Sequence, residues 1–297
     1  MNRVDPSWDL YRTFLAVLRE GSLSGAARSL GLTQPTIGRH IEALEQAIGF
    51  QLFTRSQRGL AATEAALELL PYAEALSSTA ASLLRAASGQ GGTVKGTVRV
   101  SASEVMSIEV LPPLLTALRE QYPELVIELA VSNTVEDLLR RDADIAVRMV
   151  EPSQESLVVS RLGTIPLGLH AHRSYLDRRG TPKRFEDLAT HSVIGFDRET
   201  PAIRSLLKSV PKFDVARFAL RTNSDLAQLA AIRAGFGIGV CQVALARRDP
   251  NLVRVLSDAF ELKLGTWLAM HENLKSTPRC RIVFDALAVG LKGYVER

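Results

Sequence analysis

The chain has 297 residues, 46% of them hydrophobic and 23% charged, with a formal net charge of +4. That size and composition suit two domains that each bury a core, and they exclude a disordered or fibrous chain. No run approaches the ~18 apolar residues that span a bilayer, and no basic region followed by an apolar stretch opens the sequence, so a cytoplasmic protein without membrane contact is expected.

Trp8 to Leu18 reads as a helix, with Leu10, Phe14, Leu15 and Leu18 forming a core stripe at helical spacing. Ser22 can cap a second, short helix carrying Ala26, Ala27 and Leu30, and Gly31 suits the left-handed residue that ends it. Thr33 caps a third helix in which Pro35 costs little, because first-turn amides have no intrahelical partner. Ile37, Ile41, Leu44 and Ile48 then face inward, while Pro35, Thr36, Arg39 and Gln46 face out.

The outward N-terminal half is short, polar or cationic, and the helix dipole adds positive charge there. Such an end suits a groove lined by phosphates. Thr33, Gln34 and Thr36 can bond phosphate or base edges, and Arg39 can hold guanine or phosphate in a bidentate grip. His40 reads either as a phosphate contact or as plain surface. Gly38, which costs about 1 kcal/mol against Ala in a helix interior, serves either close approach to DNA or close packing against another helix. Next, Gln51 to Thr54 and Leu60 to Ala62 read as two strands around a turn at residues 55–59, a wing with Arg55 and Arg58 at its tip for phosphates or the minor groove.

Bulk charge gives no argument for nucleic acid, since the arginines before Gly92 are balanced by carboxylates. The argument is local: Arg28, Arg39, Arg55 and Arg58 stand against Glu42 and Glu45, and every cation of this region is Arg.

Trp8-Asp9-Leu10, Phe14-Leu15-Ala16-Val17, Gly21-Ser22-Leu23-Ser24, Ala26-Ala27, Leu30 to Thr36, Ile41 to Glu45 and Gly49 to Arg55 resemble the N-terminal module of LysR-type transcriptional regulators. The resemblance implies a winged helix-turn-helix domain over residues 1–62, whose DNA contacts are Thr33, Gln34, Pro35, Thr36, Arg39, His40, Arg55 and Arg58. Family members often carry basic residues where Glu42 and Glu45 stand, which implies weaker phosphate binding here.

Thr63 caps an Ala- and Leu-rich helix to about Ala87, with Leu67, Leu70, Glu74, Ser77, Ala81 and Leu84 along one seam and Pro71 set to kink or restart it. Resemblance to the family's linker helix implies dimerisation through residues 63–88, so that two recognition helices address two half-sites. Ser88-Gly89-Gln90-Gly91-Gly92 is a flexible boundary, and residues 89–93 are taken as a hinge.

Beyond it, strands alternate with helices: strands at Thr97–Ser101, Leu125–Val131 and Ile145–Met149, with helices at Ile108–Gln121 and Val135–Arg140 between them. A second set has strands at Ile165–His170, Val193–Phe196, Phe218–Thr222 and Ile238–Cys241, with a helix at Asp225–Ala234. Leu262–Met270 returns to the first lobe, and Pro278–Tyr294 closes the chain as a helix. The alternation predicts a mostly parallel sheet and a two-lobed α/β domain over residues 94–297, with lobe I at about 94–161 and 269–297 and lobe II at about 162–268.

Gly96 to Val100, Leu111-Pro112, Tyr122-Pro123, Asp144 to Arg148, Gly235 to Gly239 and Thr277-Pro278-Arg279 resemble the family's effector domain, itself similar to periplasmic solute-binding proteins. Ligands of open α/β sheets bind beyond the carboxyl ends of strands. That rule selects Ser101, Ala102, Ser103, Ser132, Asn133, Arg148, Phe196, Asn223 and Ser224, positions that also match the family's pocket and favour a small anion such as a carboxylate. Arg148 is either a ligand contact or half of a structural ion pair.

Gly235-Phe236-Gly237-Ile238-Gly239 precedes a strand and reads as a helix stop instead of a phosphate loop. His170 and His172 share a strand face without a third ligand, and Cys241 and Cys280 lie far apart, so neither a metal nor a disulfide is expected. Without a nucleophile elbow or paired catalytic carboxylates, no enzymatic activity and no cofactor is expected. The whole reads as a regulator that binds double-stranded promoter DNA as a homodimer or homotetramer, answers to a small-molecule effector, and affects RNA polymerase. A solute-binding protein and an α/β enzyme with an unused N-terminal module are the rivals.

Overall fold

A computed structural model describes residues 5–56, 59–87, 94–133, 143–152, 157–199, 203–204 and 217–296. The chain divides into two compact units, the first ending at Leu84 and the second beginning at Arg85.

The first unit opens with three helices, α1 (Trp8–Glu20), α2 (Leu23–Leu30) and α3 (Gln34–Ile48). A hairpin of β1 (Phe53–Ser56) and β2 (Gly59–Ala62) follows, and α4 (Glu64–Ala87) begins in this unit. Phe14, Leu15, Val17, Ala26, Ala27, Ile37, Ile41, Leu44 and Leu52 make its core, joined from α4 by Ala66 and Ala73. The inward stripes of α1 and α3 are thus the ones that the 3.6-residue period indicates.

The first strand starts two residues later than expected and the second one residue earlier, with Phe53 opposite Ala62 and Ser56 opposite Gly59. Pro71 does not restart α4, which runs on as one helix of 24 residues. The seam expected on α4 is divided. Leu69 and Leu70 pack on the unit's own core, whereas Leu67, Tyr72, Leu76, Leu83 and Leu84 are exposed. The hinge expected at residues 89–93, the turn residue Arg58 and the helix expected at Val135–Arg140 lie outside the described residues.

The second unit is built on one sheet of nine strands. Its elements in order are β3 (Gly96–Ala102), a π-helical turn (Met106–Val110), α5 (Leu111–Gln121), β4 (Leu125–Val131), β5 (Ile145–Arg148), β6 (Leu157–His172) and α6 (Arg173–Arg179). After these come β7 (Val193–Phe196), β8 (Phe218–Thr222), α7 (Asp225–Arg233), β9 (Ile238–Gln242), α8 (Val243–Ala246), β10 (Leu252–Val255), β11 (Leu262–His271) and α9 (Pro278–Val295).

The strand order is β4-β3-β5-β11-β6-β9-β7-β8, with β10 also paired to β6. The sheet is mixed, not mostly parallel. β3 is parallel to β4 and β5, and β7 to β8 and β9. By contrast β11 is antiparallel to β5 and β6, and β6 to β9 and β10.

β6 starts eight residues before the expected Ile165. It and β11 pair from Leu157–His271 to Leu167–Leu262, which makes them a two-strand crossing between the lobes. At the crossing Gly163 has φ +135, and a Cβ there would meet the Val295 side chain at the end of α9. Only glycine takes that backbone cheaply while letting the helix end pack so close. Buried residues of both lobes, among them Val98, Val100, Ile145, Leu169, Phe218, Ile238, Leu268 and Leu287, form one core around this crossing.

Candidate nucleic-acid interface and effector site

In the first unit the expected DNA face is assembled by caps. Ser22 Oγ accepts from the Gly25 amide at 3.1 Å and starts α2. Gly31 ends it with φ +66, and the Leu32 amide reaches the Ala27 carbonyl at 2.9 Å. That left-handed residue turns the chain within two residues into Thr33, which caps α3 and shares a 2.8 Å hydrogen bond with the Thr36 hydroxyl. Ser24 Oγ donates to Gln34 Oε1 at 3.0 Å, fixing the amide of Gln34 against α2.

Thr33, Gln34, Pro35 and Arg39 are exposed and Thr36 is half-buried, so these five stand together at the N-terminal end of α3. Gly38 is on the open side as well, where an added Cβ would meet nothing within 4 Å. No neighbouring helix in the described residues therefore explains this glycine.

His40 stands apart from the other expected contacts. Its Nδ1 shares a 2.8 Å hydrogen bond with the hydroxyl of buried Thr13, so it braces α3 on α1. Glu45 is likewise turned away from the role expected of an acidic neighbour of the DNA face. Its Oε1 accepts from the amides of Leu52 at 2.6 Å and Phe53 at 3.2 Å, tying the end of α3 to the start of the wing. The sequence reading missed this role, and its one signal was a carboxylate four residues before the glycine that ends α3. Arg55 belongs to β1, opposite Leu60, so it lies within the hairpin ladder and not in the turn.

In the second unit the expected effector residues cluster at the carboxyl ends of β3, β4 and β5, with three more, Phe196, Asn223 and Ser224, in the second lobe. Arg148 is buried, and its guanidinium donates to Ser101 Oγ at 2.9 Å and to the Val147 carbonyl at 3.1 Å. The Ala102 carbonyl accepts from the Ser132 amide at 2.9 Å and from Ser107 Oγ at 3.0 Å, while that of Ser103 accepts from the Ser107 amide at 2.8 Å. Asn133 Oδ1 accepts from the Glu104 amide at 3.0 Å and so joins the ends of β4 and β3.

Phe196 meets Phe218 edge-on at 5.5 Å between ring centres. Asn223 is exposed, one residue before Ser224, which caps α7 by accepting from the Ala227 amide at 3.2 Å. Ser224 Oγ also donates to Glu104 Oε2 at 2.8 Å. Glu104 was not among the residues chosen from sequence, although it directly follows the Ser101–Ser103 run.

The two histidines set aside as a metal pair have separate tasks. His172 caps α6 by accepting from the Ser174 amide at 3.2 Å. His170 is buried with Nδ1 2.9 Å from the Gly168 carbonyl and 3.3 Å from Cys241 Sγ. Burial pushes the His170 imidazole down to about 4 and the Cys241 thiol up to about 12, so both are neutral near pH 7.

Residues 8–67 match the family model described as bacterial regulatory helix-turn-helix protein, lysR family, and residues 91–291 match the LysR substrate binding domain. An HTH-type transcriptional regulator of Xanthomonas campestris pv. campestris (strain 8004) is 31% identical over 61% of this chain, and the match spans 53% of that relative. The probable HTH-type transcriptional regulator LtrA of Klebsiella pneumoniae is 26% identical over 93% of this chain and 92% of its own length. Among solved structures, full-length CbnR complexed with its target DNA shares the fold, with a TM-score of 0.67 at 22% identity over 96% of this chain and 99% of that one. With a helix-turn-helix unit capped as described, a mixed α/β effector-binding domain after it, and the two matched domains together covering nearly all its length, the chain belongs to the family of LysR-type DNA-binding transcriptional regulators.

Proposed function

We propose that this regulator reads double-stranded promoter DNA with α3, through Thr33, Gln34, Pro35, Thr36 and Arg39, while Arg55 and Arg58 of the wing hold phosphates or the minor groove. His40 acts in the same unit by positioning α3. The single observation that carries the reading is the exposed N-terminal end of α3, capped by Thr33 and tied to α2 through Gln34, which gathers hydroxyls, an amide, a guanidinium and the positive end of the helix dipole in one place. The exposed Leu67, Tyr72, Leu76, Leu83 and Leu84 on α4 support pairing of two chains there, as a homodimer or as half of a homotetramer. Residues 89–93 are the hinge of the scheme.

Control is assigned to a small effector between the lobes, at Ser101, Ala102, Ser103, Asn133, Arg148, Phe196 and Asn223. A carboxylate or similar anion fits the hydroxyls and amides at the strand ends, with Arg148 holding Ser101 from within the sheet. By favouring one relation of the lobes, the effector changes the spacing of the paired DNA-binding units and their effect on RNA polymerase. The protein acts in the cytoplasm as a regulator and not as a catalyst; no helix of the described residues is long and apolar enough to cross a membrane.

Footprinting of the full-length chain on its own upstream intergenic DNA tests the scheme. Two protected half-sites an integral number of helical turns apart are expected. Candidate carboxylates that raise the melting temperature should change the footprint, and should do neither with Ser101→Ala or Asn133→Ala. A single unspaced footprint, indifferent to every stabilising ligand, would contradict the scheme.

A further inference from the structure

The stretch that follows β3 is fastened to the second lobe at successive residues. Glu104 Oε2 accepts from Ser224 Oγ, the N-cap of α7, at 2.8 Å. Val105 packs on the cluster of Ile194, Leu229, Ile232, Cys241 and Leu245. Met106 Sδ lies 3.9 Å from Gln242 Nε2 at the end of β9. Glu109 takes both terminal nitrogens of Arg233, at 2.5 and 3.1 Å, and its carbonyl accepts from Arg248 at 2.6 Å. Ser224 and Arg233 are the two ends of α7, so the stretch grips that helix from cap to last turn.

The local backbone fits such a part. Met106–Val110 forms a π-helical turn closed by the Leu111 amide on the Met106 carbonyl. A π turn holds one residue more than an α turn, and relaxing it would rotate the residues before α5 by about 100°, carrying Glu109 away from Arg233. The grip is also graded. Glu109 to Arg233 is a bidentate, half-buried ion pair, whereas Glu104 to Ser224 is a single hydrogen bond at the mouth of the candidate effector site. The Arg233 hydrogen bond, against the opposing effect of burial, holds the Glu109 carboxyl below the usual carboxylate range, so it is charged at neutral pH.

We propose that residues 104–110 form an interlobe clamp, with Glu109–Arg233 as its fixed pivot and Glu104–Ser224 as its releasable end. In this arrangement a ligand on Ser101–Ser103 acts on the lobes by displacing Glu104 from α7, a step that rests on the effector-site reading above. The clamp itself does not.

Hydrogen exchange of the full-length chain, without DNA or effector, tests it. Glu109→Gln keeps the shape and removes the charge, and Arg233→Glu makes the pair repel. Each should speed exchange of the α7 and β9 amides about fivefold or more, and the swap Glu109→Arg with Arg233→Glu should return it to within about twofold of the parent. Glu104→Ala, which removes the acceptor of the Ser224 hydroxyl, should speed only the first turn of α7, by about threefold. Should Arg233→Glu fail to fold, Arg233→Lys takes its place and is expected between the parent and Glu109→Gln. Parent-like exchange in Glu109→Gln overturns the proposal, as does a folded charge swap that stays as fast as the single variants. Because neither DNA nor effector enters, failure here leaves the reading of the protein as a regulator standing, and failure of effector binding leaves the clamp standing.

Discussion

Gly38→Ala separates the needs of folding from those of DNA binding at one atom. Gly38 is the fifth residue of α3, inside the helix, where alanine is better than glycine by roughly 0.5–1 kcal/mol. Nothing within 4 Å meets the added methyl, so no clash offsets that gain. For a unit of this size 1 kcal/mol moves the midpoint by roughly 4–8 °C, so the helix-turn-helix unit should melt about 3–6 °C higher. The methyl shares a side of α3 with Pro35, one turn earlier, on the surface assigned to the DNA backbone. A methyl in the way of that approach should weaken operator binding by roughly 1–3 kcal/mol. Circular dichroism melting of the full chain and fluorescence anisotropy on operator DNA at one stated salt concentration measure the two effects. Raised stability with unchanged affinity would refute the close approach of DNA at Gly38, and lowered stability would refute the open face.

Other consequences follow from single contacts. Glu45→Ala leaves the Leu52 and Phe53 amides without their carboxylate, which should cost about 2 kcal/mol after discounting for replacement by water and should speed exchange of both amides. Gly237→Ala drives a Cβ into the Ser192 carbonyl, which accepts from the Ile238 amide at 2.9 Å. A loss of at least ~2 kcal/mol is expected in the second unit alone, seen in calorimetry as a lower effector-domain transition beside an unchanged helix-turn-helix one. His170 sets an acid limit. The unfolded chain takes up its proton near pH 6.5, but the folded chain does so only at about 4, so the contribution is complete above pH 6.5 and is lost as the pH falls towards 4. The loss should approach ~3 kcal/mol, and His170→Gln should flatten that part of the stability-pH curve.

What could be read from sequence was what short-range chemistry decides. Ser22, Thr33 and Thr63 each cap the helix expected of them, because a cap needs only a hydroxyl and an amide three residues on. The inward stripe of Ile37, Ile41 and Leu44 follows from the helical period alone. Long-range pairing was not legible in this way. Strands alternating with helices suggested parallel neighbours, yet β6 and β11 take antiparallel partners at the crossing, and polar Ser160, Arg161 and Thr164 hide the length of β6.

The candidate sites divide along the same line. The exposed end of α3 belongs to one short segment. The tasks of Glu45, His40 and Glu104 depend on partners 7, 27 and 120 residues distant. Sequence alone leaves Arg148 between ligand contact and ion pair, because its bond to Ser101 spans 47 residues. The π turn at Met106–Val110 had no sequence signal, since Ile108 onward has an ordinary helical pattern.

The central claim is that this chain reads a DNA sequence through α3. Fluorescence anisotropy of the full-length protein on its own upstream intergenic duplex and on a scrambled one, at one stated salt concentration and with Arg39→Ala alongside, tests it most directly. The account predicts tight binding to the upstream duplex only, weakened by roughly 1–3 kcal/mol in Arg39→Ala. Equal and weak binding to both duplexes, indifferent to Arg39, would contradict it.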